Sequence, residues 1–349
     1  CVQVGMLDGY FLAFDTATSK FRISEINDGT TWDATQYAQR SIAPDPWRAM
    51  VVDGSRQIWL IGEQTGEVWY DSGASPFPFE PVPGAVFGYG TPAPWTVKLV
   101  GSMMCWLSQT SDGSGIVVGA QGLVPERIST NAVETAIASY QRTSKITDAE
   151  ALVYEMDGHT FYVLSFPSAN KTWAFDLTTG LWSERGMWDS AAGDYDLWGP
   201  RVHCFGFSKH LVGDRTSGLL CTMDNNTTTE CDGSTIRRLR IPPPLWRSPG
   251  VRRLFVSRFQ LMMEVGLGTS TGDGVDPQVM LRSSVNGQTW SDSRTAAAGK
   301  QGTYGTQVVW TRLPSSTQLW VPEIAVTDPI PWRLMGAEVD GRGLWAQAA

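Results

Sequence analysis

The sequence predicts an all-β protein built as a β-propeller, and three observations predict it. Short apolar strands alternate with turn residues along most of the chain, glycines recur at near-constant spacing, and tryptophan is abundant, with 16 copies in 349 residues. Regularly spaced Gly and aromatic residues are the mark of blade-type β repeats. The 36 glycines and 20 prolines supply turns between many short elements. A hydrophobic share of 42% with 18% charged residues places the chain among globular proteins.

The repeat is read from Gly9, Gly54, Gly101, Gly158 and Gly206, whose spacings are 45, 47, 57 and 48 residues. A four-stranded blade takes about 40–50 residues. The copies begin at Asp8-Gly9-Tyr10-Phe11-Leu12, at Asp53-Gly54 with Ile58-Trp59-Leu60-Ile61, and at Gly101 with Met103-Met104-Cys105-Trp106-Leu107. The clearest copy runs from Asp157-Gly158 through Phe161-Tyr162-Val163-Leu164 and Thr172-Trp173-Ala174-Phe175-Asp176 to Leu181-Trp182-Ser183. A weaker one spans Cys204-Phe205-Gly206 to Ile236. A twisted sheet cannot bury both faces alone, and stacking blades solves this. The expectation is six or seven blades. The Trp residues, set on alternating strands, read as blade packing rather than sugar platforms.

One insertion breaks the spacing. Asn131 is expected to cap a short helix over 132–140, with Glu134 three residues on. Val133, Ile137 and Tyr140 share its apolar face.

Residues 237–258 carry seven arginines and no acid, with Pro242-Pro243-Pro244 and Pro249-Gly250 interrupting them. This reads as the crossing into a last β unit. The division expected is therefore propeller repeats over 1–245 and a C-terminal β unit over 246–349 that closes or extends the propeller. Arg237, Arg238, Arg240, Arg247, Arg252 and Arg253 form the one candidate site, a basic cluster facing a neighbouring subunit or DNA phosphates. The bland reading is a solvated edge that blocks edge pairing.

The net charge of −8 gives no global attraction to a phosphate backbone. Five scattered cysteines (Cys1, Cys105, Cys204, Cys221, Cys231) without a CxxC pair, and only three histidines, point to free thiols and no structural zinc. No apolar run spans a membrane and no signal peptide is seen. The start at Cys1 leads us to expect residues before it in the gene product.

Catalytic motifs are weak. No GxSxG elbow and no Walker A loop occurs. Ser283 to Trp290 resembles the Asp-box turn of sialidase propellers, with Val285 where the Asp would stand. Arg240-Ile241-Pro242 resembles the sialidase Arg-Ile-Pro signature, but follows five repeats instead of opening the propeller. Asp8, Asp53, Asp157 and Asp176 read as turn formers. The expectation is no enzyme, no cofactor and no metal; the alternative is a carbohydrate-active propeller, sialidase-like or glycan-binding.

Two blocks carry a family resemblance. The first is Gly158-His159-Thr160-Phe161-Tyr162-Val163-Leu164, Thr172-Trp173-Ala174-Phe175-Asp176 and Gly180-Leu181-Trp182-Ser183-Glu184-Arg185-Gly186. The second is Asp276 to Arg282, Asn286 to Ser291, Gly299 to Gly305 and Asp328-Pro329. Together they resemble the packaged-DNA stabilisation (tail hub or nozzle) proteins of short-tailed phages. The resemblance implies a virion structural protein: a homohexameric ring below the portal and adaptor proteins, forming part of the DNA exit channel and retaining packaged DNA. It further implies contacts with tail fibre or tailspike proteins and a distal needle or plug, no membrane insertion, and assembly in the bacterial host cytoplasm.

Overall fold

The computed structural model describes residues 1–40 and 43–345. The chain divides into two units, residues 1–189 with 194–222, and residues 190–193 with 223–349.

The first unit is a series of antiparallel sheets in chain order. Sheet 1 comprises Gln3–Leu7, Tyr10–Asp15, Lys20–Ile23 and Tyr37–Gln39. Sheet 2 comprises Trp47–Val52, Gln57–Gly62, Gly66–Asp71 and Phe79–Phe87. Sheet 3 comprises Lys98–Val100, Met103–Gln109, Gly115–Gln121 and Val124–Arg127. Sheet 4 comprises Glu150–Met156, His159–Phe166, Lys171–Asp176 and Leu181–Arg185. Each is an up-and-down meander, so hairpin turns alone join its strands. A two-stranded ladder, Met187–Asp189 with Asp194–Asp196, and a three-stranded sheet, Pro200–Gly206, Lys209–Asp214 and Leu220–Met223, follow. Against the expected six or seven blades, the described residues of the first unit hold four complete four-stranded sheets and these two smaller ones.

Gly9, Gly54, Gly101 and Gly158 mark one place in sheets 1 to 4, the turn between the first and second strands, while Gly206 ends the first strand of the three-stranded sheet opposite Lys209. Asp8-Gly9 and Asp157-Gly158 are two-residue hairpin turns, with Leu7 opposite Tyr10 and Met156 opposite His159. All four residues have positive φ, the geometry of a type I′ turn that favours Asp-Gly. The sequence reading starts the first four repeats at this turn, and so one strand late.

Packing between sheets explains the tryptophans. Alternating side chains of sheets 1 and 2 meet through Phe14, Phe21, Trp47, Trp69 and Phe79. Sheets 2 and 3 meet through Trp59, Val68, Trp106 and Val118. Sheets 3 and 4 meet through Leu107, Val117, Tyr162, Leu164 and Phe166. Trp47, Trp59 and Trp106 are fully buried, as the packing reading requires. Helix α1, Asn131–Thr143, follows sheet 3 and buries Val133 and Ile137. It starts one residue earlier than expected, because Thr130, with extended backbone, is the N-cap and Asn131 is already helical. Glu134 accepts a 2.7 Å bond from Ser129 Oγ and an ion pair from Arg127 at 3.3 Å, which anchors the first turn.

The second unit is two sheets face to face. One centres on Gln278–Ser284 and Leu319–Val326; the other pairs Leu254–Met263 with Val308–Thr311, Ser315–Ser316 and Leu334–Arg342. Phe259, Trp310, Trp320, Leu281 and Val326 fill the space between them. Arg238–Arg240 and Leu245–Arg247 both pair with Leu319–Val326. The second unit thus reaches back to residue 223, whereas the sequence reading draws the division at 245/246. The Asp-box-like turn lies in this unit. Asn286, not the residue at 285, makes it, accepting from the Gln288 and Thr289 amides at 2.9 and 2.8 Å.

Cys221 and Cys231 are disulfide-bonded, which corrects the reading of five free thiols; Cys1, Cys105 and Cys204 are free. Burial pushes the Cys105 thiol up to about 12, so it is an inert core group. Among the described residues, no helix is long and apolar enough to cross a membrane.

Asp214 closes the turn after Lys209–Asp214. Burial raises its pKa, but the Ser217 and Thr216 donors outweigh that and bring it to about 2. The folded value lies below the ordinary one, so its stabilisation is complete above about pH 4 and is lost as pH falls through about 2. Asp214→Asn is expected to remove this acid-limb contribution, seen as a flatter dependence of Tm on pH between about 4 and 2.

Candidate functional site

The arginine segment supplies the candidate site, and local strand geometry sorts its members. In an antiparallel ladder Arg238 stands opposite Val326 and Arg240 opposite Ile324. Arg238 is drawn inward. Its guanidinium donates to the backbone oxygens of Ile330 and, at 2.6 Å, Asp328. Burial pulls its pKa down, and the nearby Asp328 carboxylate opposes that shift. Arg237 donates to Glu323 Oε1 at 3.3 Å. The same carboxylate receives Arg282 through two bonds, at 2.6 and 2.8 Å, in the bidentate geometry that suits guanidinium. Glu323 is 3% exposed, and this triad links Arg237 with the strands Gln278–Ser284 and Leu319–Val326.

Arg247 donates to the Val251 backbone oxygen and ties the loop 248–251. Arg240, Arg252 and Arg253 are exposed and make no side-chain bond among the described residues. The structure adds a residue that the sequence reading missed. Arg342, also exposed, pairs opposite Phe255 and so lies beside the Arg252–Arg253 turn. Only the strand register brings it there; nothing near Arg342 in the sequence signals it. Trp246, Val251 and Phe255 in the same segment are 39%, 38% and 50% exposed. Exposed aromatics with arginine and few acids are the composition of a protein interface core.

The expected six-residue cluster is thus not one surface. Arg237 and Arg238 are structural, Arg247 is a loop tie, and Arg240, Arg252 and Arg253 are available to a partner. Charge reversal at Arg238 is accordingly expected to destabilise the second unit, while Arg252→Glu with Arg253→Glu leaves its Tm within about 2 °C, as surface substitutions do. Thermal unfolding of the two variants side by side checks this.

The acids that a hydrolase would need are held in turns. Asp53 accepts from the Ser55 and Gln57 amides at 2.8 and 2.9 Å and from Trp59 Nε1 at 2.9 Å. Asp176 accepts from the Thr178 amide at 3.0 Å, from Thr179 Oγ1 at 2.8 Å, and meets His159 Nδ1 at 2.8 Å. Asp8 pairs with Arg56 at 2.5 Å. Arg240, the residue of the Arg-Ile-Pro signature, stands exposed on the second unit.

Comparison with known proteins follows the same division. Residues 1–228 match the family model described as bacteriophage P22 Gp10, β-propeller, and residues 248–342 match the model described as bacteriophage P22 Gp10, β-sandwich. The last unit is a sandwich. No curated protein matches the chain. Solved structures are similar only distantly. An exo-β-1,3-galactanase from Phanerochaete chrysosporium is 11% identical over 95% of this chain and 79% of that one, with a TM-score of 0.28. The WD40 domain of SCAP from fission yeast is 10% identical over 94% and 82%, with a TM-score of 0.32. A Trypanosoma rangeli sialidase is 10% identical over 91% and 80%, with a TM-score of 0.27. Likeness at that level says nothing about chemistry. Both units, in order, match the same family, and the chain belongs to the bacteriophage P22 Gp10 family as a structural protein of a phage tail.

Proposed function

We propose that this chain is a ring-forming, non-catalytic subunit of the tail nozzle, which continues the DNA exit channel, retains packaged DNA and supports distal tail proteins. The match of both units to one family carries this reading. The charge agrees with it: a body at −8 does not grip a phosphate backbone, so DNA can pass without being held along the way. The ring is a hexamer, as in the family that the sequence resembles. It joins portal or adaptor proteins on one side, and tail fibre or tailspike and needle or plug proteins on the other. It is assembled in the host cytoplasm and carried in the virion.

Within this reading, Arg240, Arg252 and Arg253, with Arg342, contact an acidic surface of a neighbouring protein. The exposed Trp246 and Phe255 beside them favour a protein partner over DNA, because a phosphate backbone needs no apolar company. The test is genetic and biochemical. Phage particles assembled without the chain should lose packaged DNA to added nuclease, and supplying the chain should restore protection. Particles that keep their DNA without it would overturn the retention role. Arg252→Glu with Arg253→Glu should weaken incorporation into particles about tenfold or more; unchanged incorporation would remove these arginines from the interface.

A further inference from the structure

The seams between sheets 2 and 3 and between sheets 3 and 4 are built on apolar clusters, and that between sheets 1 and 2 adds the buried Arg40–Glu67 pair. The seam between sheet 4 and the three-stranded sheet is different. All three histidines of the chain lie in or beside it. His203 Nε2 and His210 Nδ1 are 3.0 Å apart, with their rings 5.3 Å apart and nearly parallel at 24°. Phe205 packs on His210 at 4.9 Å and Tyr154 of sheet 4 on His203 at 5.8 Å. Tyr154 in turn stacks on Phe161 at 4.8 Å, and Phe161 on His159 at 6.0 Å. At the other end of the seam, Arg201 and Arg215 converge on Glu150.

The 3.0 Å contact needs one ring nitrogen to donate and the other to accept. A singly protonated pair keeps it, because an imidazolium still donates to a neutral ring. With both rings protonated, both facing nitrogens carry N–H and the contact breaks. Burial holds His203 below the ordinary imidazole value, with the His210 charge next, against the Val153 bond. Its stabilising effect is therefore present above about pH 6.5 and lost as pH falls through its lower folded value.

The charged groups around the seam give the second proton no partner. From sheet 4, Glu150 is taken by Arg201 and Arg215, Asp176 by His159, and Arg185 adds a cation over Phe161 at 5.4 Å. From the three-stranded sheet, Lys209 adds another cation beside His210 in sequence, and Asp214 is bound in its own turn. Tyr154 is buried and neutral.

We infer that His203 and His210 form an acid-sensitive latch that holds the three-stranded sheet on sheet 4 at neutral pH and releases it when both rings are protonated. Hydrogen–deuterium exchange of the full chain at about pH 7.5 and about pH 5, corrected for intrinsic rates, tests it. Amides of 150–156 and 201–214 are expected to lose protection about tenfold more than those of sheets 1 to 3. His203→Gln with His210→Gln should abolish this difference, and His159→Gln, outside the pair, should keep it. Equal behaviour of all sheets in the wild type, or an undiminished difference in the double variant, would overturn the latch. Should the double variant fail to fold, proton NMR of the wild-type imidazoles decides. Two well-separated titrations, one below the ordinary range, are expected, and two independent ordinary titrations would overturn it.

Discussion

Trp106→Ala is expected to destabilise the first unit by about 4 kcal/mol, among the largest single losses available in this chain. Trp106 is fully buried in the seam between sheets 2 and 3, with ring centroids 6.3 Å from Trp59 and 5.8 Å from Phe87. Its indole N–H donates to the Gly90 carbonyl at 3.2 Å. Truncation removes the apolar area, leaves a cavity that rigid flanking strands cannot close, and strips a buried carbonyl of its donor. The seam belongs to both sheets, so the loss spreads to each. Denaturant unfolding should show a midpoint shift matching this loss with little change of slope. Trp95, 52% exposed, is the control, and its alanine variant should stay within about 0.5 kcal/mol of the parent. Equal effects at the two positions would mean that the sheets do not stack through Trp106.

The second large effect is Glu323→Ala, at about 3 kcal/mol or more, confined to the second unit. The carboxylate is 3% exposed and serves Arg237 and Arg282 together. Removing it strips Arg237, itself 12% exposed, of the Glu323 bond and Arg282 of both of its bonds. A buried ion cluster costs desolvation to assemble, so the loss on breaking it exceeds the net worth of having it. The triple change Arg237→Met, Arg282→Met and Glu323→Leu should therefore recover most of the stability. Thermal unfolding of the single and triple variants measures both. A single variant as stable as the parent would show that the triad contributes nothing.

Much of the first unit is legible in the sequence because its signals are local. Asp8-Gly9 and Asp157-Gly158 need positive φ in a two-residue turn, and Asp-Gly supplies it. Val133 and Ile137 recur at helical spacing, and both are buried. The phase of the repeat is less legible. The first strands carry no marker of their own, and Lys98–Val100 is only three residues long, so the glycine turn reads as the start of a repeat rather than its first corner. The helix start slips by one because Asn131 and Thr130 are both good caps, and only the backbone of Thr130 is extended. Alternation over 254–340 is equally a blade or a sandwich, since both use period two. Only the pairing of Leu319–Val326 with Gln278–Ser284 and the shared core across two sheets separate them.

The arginine site was legible as a composition and not as a surface. Seven cations without an acid form one run in the sequence, yet the acceptors that draw Arg237 and Arg238 inward, Glu323 and the Asp328 and Ile330 carbonyls, come from the distant strand Leu319–Val326 and the loop after it. Those acceptors leave Arg240, Arg252 and Arg253 exposed, and register alone adds Arg342.

The most direct test of the central claim is the mass of the purified chain in solution, by light scattering at two protein concentrations, with and without the adaptor ring of its phage. The account predicts a ring, or a monomer that becomes a ring on the adaptor, with Arg252→Glu and Arg253→Glu weakening that assembly. A monomer at both concentrations that ignores the adaptor would contradict it.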